Sequence, residues 1–339
     1  MIDNGVNSFA SADDGEESTR EELRGLIERL RQASEPLDTR RIAEHDLKLL
    51  SRAIRELRRA FTVFEPYRSQ RKVTIFGSAR TPRDTPEYMQ AEALGRKLVE
   101  HGWYVVTGAA TGIMEAGHRG AGRDHSMGLN IMLPFEQESN EIIRGDAKLV
   151  TMKYFFTRKL MFVKECDAVV CLPGGFGTLD EAFEVLTLMQ TGKRELMPLV
   201  LLDAPGGTYW RDWLSFVKRN LLDRGMISLD DLSLMLVTDD VDATVADVVQ
   251  FYRVFQSMQY VPEGLMFQLR SVPSAQQLAT MNRAFADILT DGKFELHDPP
   301  PSEAADTSLA SFTRLVFQFN RRNHGRLRKL VDWINAEVR

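Results

Sequence analysis

The segment Pro173-Gly174-Gly175-Phe176-Gly177-Thr178 sets three glycines and a hydroxyl before a stretch of helical periodicity. Glycine lets backbone N–H groups approach an anion closely, and a helix N-terminus adds positive potential. Thr178 can cap that helix or hold a phosphate oxygen with its hydroxyl. Glu181 follows three residues later, the spacing of a capping box. A carboxylate at such an edge can also stabilise an oxocarbenium ion and orient or deprotonate an attacking water. Asp180 reads as a solvated charge at the helix start, and Glu184 as a neighbouring acid. Upstream, Arg158-Lys159 lies in the helical stretch 155–165, just before the apolar run 168–172. An arginine there can hydrogen-bond a departing base or grip a phosphate. The plainer alternative for both residues is a solvated helix face.

Two further turns carry the same small residues: Gly77-Ser78 and Gly108-Ala109-Ala110-Thr111-Gly112. Each ends a β-branched or apolar run and precedes a helical pattern. Three such turns on one sheet edge point to a phosphate and sugar site. The elements that must hold them there read as strands at about 73–78, 103–108, 128–133, 148–152, 168–172, 199–203 and 234–237. Helices are expected between them at 87–101, from 113, and at 155–165, 178–191, 210–224 and 244–257. Buried strands alternating with helices predict an α/β fold, a doubly wound, Rossmann-like and mostly parallel sheet. Ligands in such sheets bind beyond the carboxyl ends of the strands.

The flanking regions differ in character. Residues 1–17 are polar and acidic and read as a disordered tail. A helical extension is expected over 18–70, the nucleotide-binding domain over 71–259, and a small α+β extension over 260–339. In the N-terminal extension a short helix spans about 19–32 and a longer one 38–64. The longer one carries an apolar stripe of Leu47, Leu50, Ile54, Leu57, Phe61 and Phe64, able to lie on the domain or to meet a second subunit. In the C-terminal extension strands are expected at 265–269, 293–297 and 315–319, with helices at 274–289 and 325–338. Arg321, Arg322, Arg326, Arg328 and Lys329 form a basic cluster that reads as a solvated face or an anion contact.

Composition narrows the function classes. The 339 residues carry a net charge of −5, so no global basic field attracts nucleic acid. No apolar run approaches the roughly 20 residues that cross a bilayer. The N-terminus lacks the pattern of a secretory signal, and a soluble cytoplasmic protein without a membrane or nucleic-acid partner is expected. Cys166 and Cys171 lie near no histidine that would complete a zinc set and read as buried structural residues. The six histidines, among them His101, His118 and His125, form no close pair with ligand spacing, and no metal site is expected.

The stretch PGGFGTLDE at 173–181 resembles the PGGxGTxxE signature of the LONELY GUY family, whose members have often been labelled lysine decarboxylases. Arg158-Lys159, Gly77-Ser78 and the turn Thr107-Gly108 to Gly112-Ile113-Met114 stand where that family has its other site residues. The resemblance covers residues 72–258. It implies a phosphoribohydrolase that cleaves the N-glycosidic bond of a nucleoside 5′-monophosphate, AMP or a cytokinin-type adenine nucleotide. The products would be free base and ribose 5-phosphate, with no cofactor required. Arg158 and Glu181 would be catalytic. Gly77, Ser78, Gly108, Gly112, Lys159, Gly174, Gly175, Gly177 and Thr178 would hold phosphate and ribose. The resemblance also implies a homodimer or higher homo-oligomer, and the extensions resemble those of longer bacterial members. Where plant members have an acidic-Met-His stretch before the arginine, this chain has Tyr154-Phe155-Phe156-Thr157. That aromatic run suits a flat purine but departs from the plant pattern for the base. A nucleotide or cofactor carrier on the same fold is the alternative function. A decarboxylase would need an electron sink on a Schiff-base lysine, for which Lys159 is the candidate.

Overall fold

In the computed structural model, residues 12–34, 42–133, 138–297 and 312–338 are described. The chain divides into a unit up to Glu56 and a second from Leu57 onward. The first holds α1 (Ala12–Ser34) and the start of α2 (Glu44–Phe64). The expected tail at 1–17 lies outside the described residues up to position 11, and helix already begins at Ala12. Along the α2 stripe, Leu50, Ile54 and Phe61 are exposed and Phe64 is buried.

The second unit is built on seven parallel strands: β1 (Lys72–Phe76), β2 (Tyr104–Thr107), β3 (Ser126–Ile131), β4 (Leu149–Met152), β5 (Ala168–Cys171), β6 (Leu199–Leu202) and β7 (Leu236–Thr238). Their order across the sheet is β4-β3-β2-β1-β5-β6-β7. The connecting helices are α3 (Pro86–Glu100), α4 (Ile113–Ala121), α5 (Phe155–Glu165), α6 (Phe176–Gln190), α7 (Tyr209–Val217) and α8 (Val241–Phe251). Strand residues alternate between the two faces, as the two-residue period requires. Val73, Ile75, Val105, Val170 and Val200 enter one core with Leu94 and Leu98 of α3 and Val245 and Val248 of α8. Phe76, Val106, Val169, Cys171 and Leu201 enter the other with Met161 of α5 and Val185 and Met189 of α6. Strands apolar on both faces are what a sheet covered on both sides demands.

The order reverses at β1, which pairs β2 on one side and β5 on the other. Gly77-Ser78 leaves β1 and Pro173 to Thr178 leaves β5, so two of the small-residue turns flank this switch point. The Ser78 amide donates to the Pro173 carbonyl at 3.2 Å and joins them directly.

The C-terminal region forms a second sheet of β8 (Phe255–Val261), β9 (Gly264–Leu269), β10 (Leu289–His297) and β11 (Thr313–Phe319), ordered β10-β11-β9-β8 and antiparallel. α9 (Ala275–Ala284) and α10 (His324–Glu337) accompany it. Strand β8 corrects the helix expected over 244–257. The buried Phe251, Val254, Phe255 and Met258 have helical spacing, yet helix ends at Phe251 and the chain turns into the sheet. This sheet shares the core that contains Met161 and Met189, so the α/β and α+β parts are one packed unit. The basic cluster is largely spent inside that unit. Arg328, 5% exposed, reaches Asp247 of α8 at 3.0 Å and Asp332 at 2.8 Å. Lys329 pairs with Asp230 and Arg326 with Asp287.

Among the described residues, no helix is long and apolar enough to cross a membrane, and no group of His, Cys, Asp and Glu could hold a metal ion. Both cysteines are buried and unpaired, and burial pushes the Cys166 thiol up to about 12.

Candidate active site

Helix α6 begins earlier than its hydroxyl suggested. Gly175 is the N-cap, with no side-chain cap bond, and Phe176 the first helical residue. The expected Thr178–Glu181 capping box does not form. Thr178 is instead inside the first turn, buried, with its hydroxyl against Gly174. The shift has a simple cause: glycine caps adequately without a side chain.

The glycines of this turn differ in what the fold asks of them. A Cβ on Gly174 would collide with the Thr178 hydroxyl and lie 3.1 Å from the Ser78 amide nitrogen, so local packing demands glycine. A Cβ on Gly175 or Gly177 would meet nothing within 4 Å. Both are exposed, and neither has a positive φ. Alanine in a helix is favoured over glycine by about 0.5–1 kcal/mol. The chain thus keeps glycine at two positions where a Cβ would fit, on either side of Phe176. Among the described residues, the amides of Gly175, Phe176 and Gly177 have no intramolecular acceptor. Substituting Gly177, which lies inside the helix, by alanine is therefore expected to leave thermal stability unchanged or slightly raised. It should weaken nucleoside monophosphate binding about tenfold or more, as read by calorimetry beside a melting curve. Unchanged affinity would mean that this turn holds no ligand.

Gly77, Ser78, Gly108 and Gly112 knit the neighbouring loops to the switch point. The Ile113 amide donates to the Ser78 carbonyl at 3.0 Å. Gly112 has φ +65°, and a Cβ there would collide with that same carbonyl. Gly108 faces Arg158, whose Nη1 would be 3.6 Å from a Cβ at that position. The loop between Gly108 and Gly112 is held from below by a buried network. His118 Nε2 donates to the Met127 carbonyl at 2.9 Å and lies 3.1 Å from the Thr107 hydroxyl. Its Nδ1 accepts from Asn140 Nδ2 at 3.2 Å, and that nitrogen also donates to the Ala110 carbonyl. The Ala109 amide donates to Thr107 Oγ1 at 2.9 Å, and Ala109 takes a left-handed φ of +59°.

His118 must be neutral for Nδ1 to accept, and burial pushes its pKa down to about 4. The unfolded chain, with an ordinary histidine near 6.5, binds the extra proton first as pH falls. This contribution is complete above about pH 6.5 and fades toward pH 4, by about 3 kcal/mol in total. Urea denaturation at pH 7 and pH 5 should show the loss, and His118→Gln should flatten that part of the profile. Equal slopes for the two proteins would contradict it.

Arg158 and Glu181 approach the edge from α5 and α6. Glu181 is 6% exposed. Burial raises its pKa, Lys159 pulls it back, Glu184 adds to the rise and Arg158 opposes it. Arg158 is largely enclosed, and burial lowers its pKa while Glu181 works the other way. Its guanidinium lies over the rings of Phe155 and Phe162 at 5.0 and 5.6 Å, and its buried Nε has no hydrogen-bond partner. Lys159, expected among the phosphate and ribose contacts, is committed elsewhere. Its ammonium lies 3.0 Å from Asp180, 3.1 Å from Glu181 and 2.5 Å from Glu184. Burial disfavours that charge, but the carboxylates, Glu184 foremost, outweigh it and raise the pKa. A phosphate would have to compete with all three. Beside Arg158, Tyr154 and Phe156 stack with ring centroids 5.4 Å apart and planes 20° from parallel.

The sequence reading missed Tyr209, whose hydroxyl donates to the Gly174 carbonyl at 2.7 Å. It also missed the Thr107–His118–Asn140 support. Both depend on partners 11 to 35 positions away in the chain, for which local spacing carries no signal.

Fold and site together define a Rossmann-like α/β protein with a glycine-rich turn, a buried carboxylate and a guanidinium near its switch point. Residues 107–248 match the family model described as "Possible lysine decarboxylase". Over 151 residues the chain is 35% identical to the cytokinin riboside 5′-monophosphate phosphoribohydrolase LOG7 of Arabidopsis thaliana, covering 42% of this chain and 65% of that one. Over 161 residues it is 30% identical to the cytokinin riboside 5′-monophosphate phosphoribohydrolase of Mycobacterium marinum, covering 46% of this chain and 83% of that one. Among solved structures, the molybdenum cofactor carrier protein of Chlamydomonas reinhardtii matches with a TM-score of 0.37 and 22% identity, over 53% of this chain and 97% of that one. The chain belongs to the LONELY GUY family.

Proposed function

We propose that this protein hydrolyses the N-glycosidic bond of a nucleoside 5′-monophosphate carrying an adenine-type base, giving free base and ribose 5-phosphate. The observation that carries this reading is the joint placement of Glu181, Arg158 and the open amides of Gly175 to Gly177. The amides and the α6 N-terminus would receive the phosphate. As the bond from C1′ to the base nitrogen lengthens, positive charge grows on the ribose ring. The Glu181 carboxylate would stabilise that charge and take a proton from the water that attacks C1′. Arg158 would hydrogen-bond the base as it leaves with the bonding electron pair, which is then protonated at nitrogen. A carboxylate whose pKa is raised is a better base near neutrality than an ordinary one. Lys159 would keep Glu181 ionised despite its burial. The stacked Tyr154 and Phe156 offer a flat face to a purine.

The decarboxylase reading of Lys159 fits poorly. A Schiff base forms from a neutral amine, and three carboxylates hold this lysine protonated. The test is a panel of nucleoside monophosphates incubated with pure protein, with released base read by chromatography. Release of adenine or a substituted adenine is expected. Tight binding of a nucleotide with no base released would replace the hydrolase reading by a carrier.

A further inference from the structure

The peptide joining Gly174 to Gly175 is flanked by glycine on both sides, so little in the local chain resists its rotation. It is nevertheless held. The Tyr209 hydroxyl donates to the Gly174 carbonyl at 2.7 Å. Burial raises the pKa of this phenol, which keeps it a neutral donor. Tyr209 is the first residue of α7, and the start of that helix is itself fixed. Asp203, buried at the end of β6, accepts from the Trp210 amide through Oδ2 at 3.0 Å and from the Ala204 amide through Oδ1 at 2.9 Å. The fully buried Trp210 meets the Tyr209 ring edge-on with centroids 4.8 Å apart. Trp213 in turn contacts Phe183 on α6 at 5.4 Å. The tyrosine is thereby referenced to the same helix whose N-terminus carries the glycine turn.

A trans peptide is planar, and its N–H points opposite to its C=O. With the Gly174 carbonyl drawn to Tyr209, the Gly175 N–H is directed the other way, and among the described residues no backbone carbonyl accepts from it. The preceding peptide is fixed as well, by the Ser78 amide on the Pro173 carbonyl. We propose that Tyr209 is a positioning residue that orients the Gly174–Gly175 peptide so that the Gly175 amide is preset to receive the phosphate of a nucleoside monophosphate. This rests on the phosphate site of the reading above but not on its chemistry.

The experiment compares full-length Tyr209→Phe with the unaltered protein, using AMP, ribose 5-phosphate and adenosine as ligands and calorimetry or ligand NMR as the readout. Removing only the hydroxyl should weaken AMP and ribose 5-phosphate about tenfold and leave adenosine within twofold. Where base is released, KM for AMP should rise about tenfold with kcat within threefold. As a control, Phe216→Ala alters an exposed residue of α7 outside the contacts that fix Tyr209, and it should leave the ratio of AMP to adenosine affinity unchanged. Equal effects of Tyr209→Phe on all three ligands, or none, would overturn the proposal. So would failure of the unaltered protein to bind AMP or ribose 5-phosphate. If the unaltered protein binds AMP without releasing base, the hydrolase reading fails, and the affinities alone decide the role of Tyr209.

Discussion

Glu181→Gln is expected to lower the rate of base release by about a thousandfold or more while AMP still binds within a fewfold of its normal affinity. A loss of that size corresponds to about 4 kcal/mol of transition-state stabilisation. Glutamine keeps the volume of the side chain, so the core beneath α6 should not change. It removes the negative charge that faces the ribose cation and the basicity that activates water. Lys159 would still have Asp180 and Glu184 as partners, so the ammonium is not left unpaired. Single-turnover rates beside equilibrium binding separate the two effects. A rate within tenfold of normal would show that Glu181 is not the carboxylate that does the chemistry.

Arg158→Gln should cost about a hundredfold in kcat, the scale on which a preorganised donor to a departing group contributes. The structure adds a second expectation that separates function from architecture. Burial opposes the Arg158 charge, and its Nε has no hydrogen-bond partner. A buried polar group without a partner costs free energy. Its replacement should therefore leave the melting temperature unchanged or raise it. Arg158→Lys should not restore the rate, because a point charge lacks the planar donor fork. A variant that melted well below the unaltered protein with little change in kcat would make Arg158 a structural residue.

Much of the α/β core was legible in the sequence, because doubly buried strands leave apolar runs such as 168–172 that end in small residues. Turns where backbone approaches backbone closely leave glycines, and those at 112 and 174 stood out for that reason. The reading failed where two periods coincide. Phe251, Val254, Phe255 and Met258 satisfy a helix, and only the antiparallel pairing of β8 with β9 makes a strand of them. Charge partners between elements leave no local pattern either. Lys159 beside Arg158 looked like one more anion contact. Its three carboxylates become visible only when α5 and α6 are set side by side, although two of them, Asp180 and Glu184, had been noted as bystanders. Tyr209 belongs to the same class: a single hydrogen bond between elements 35 residues apart has no local pattern. The basic cluster at 321–329 reads from sequence as a solvated face or an anion contact, because sequence does not reveal that Asp287, Asp247 and Asp230 pair with Arg326, Arg328 and Lys329.

The proposed reaction is hydrolysis of the bond between base and ribose in a nucleoside 5′-monophosphate. It is tested most directly by quantifying both products from one reaction of the pure, folded protein with AMP and with an N6-substituted AMP. Equimolar free base and ribose 5-phosphate are expected from at least one of them, with no release from the corresponding nucleoside. A bound nucleotide recovered intact after many hours, from every member of the panel, would contradict it.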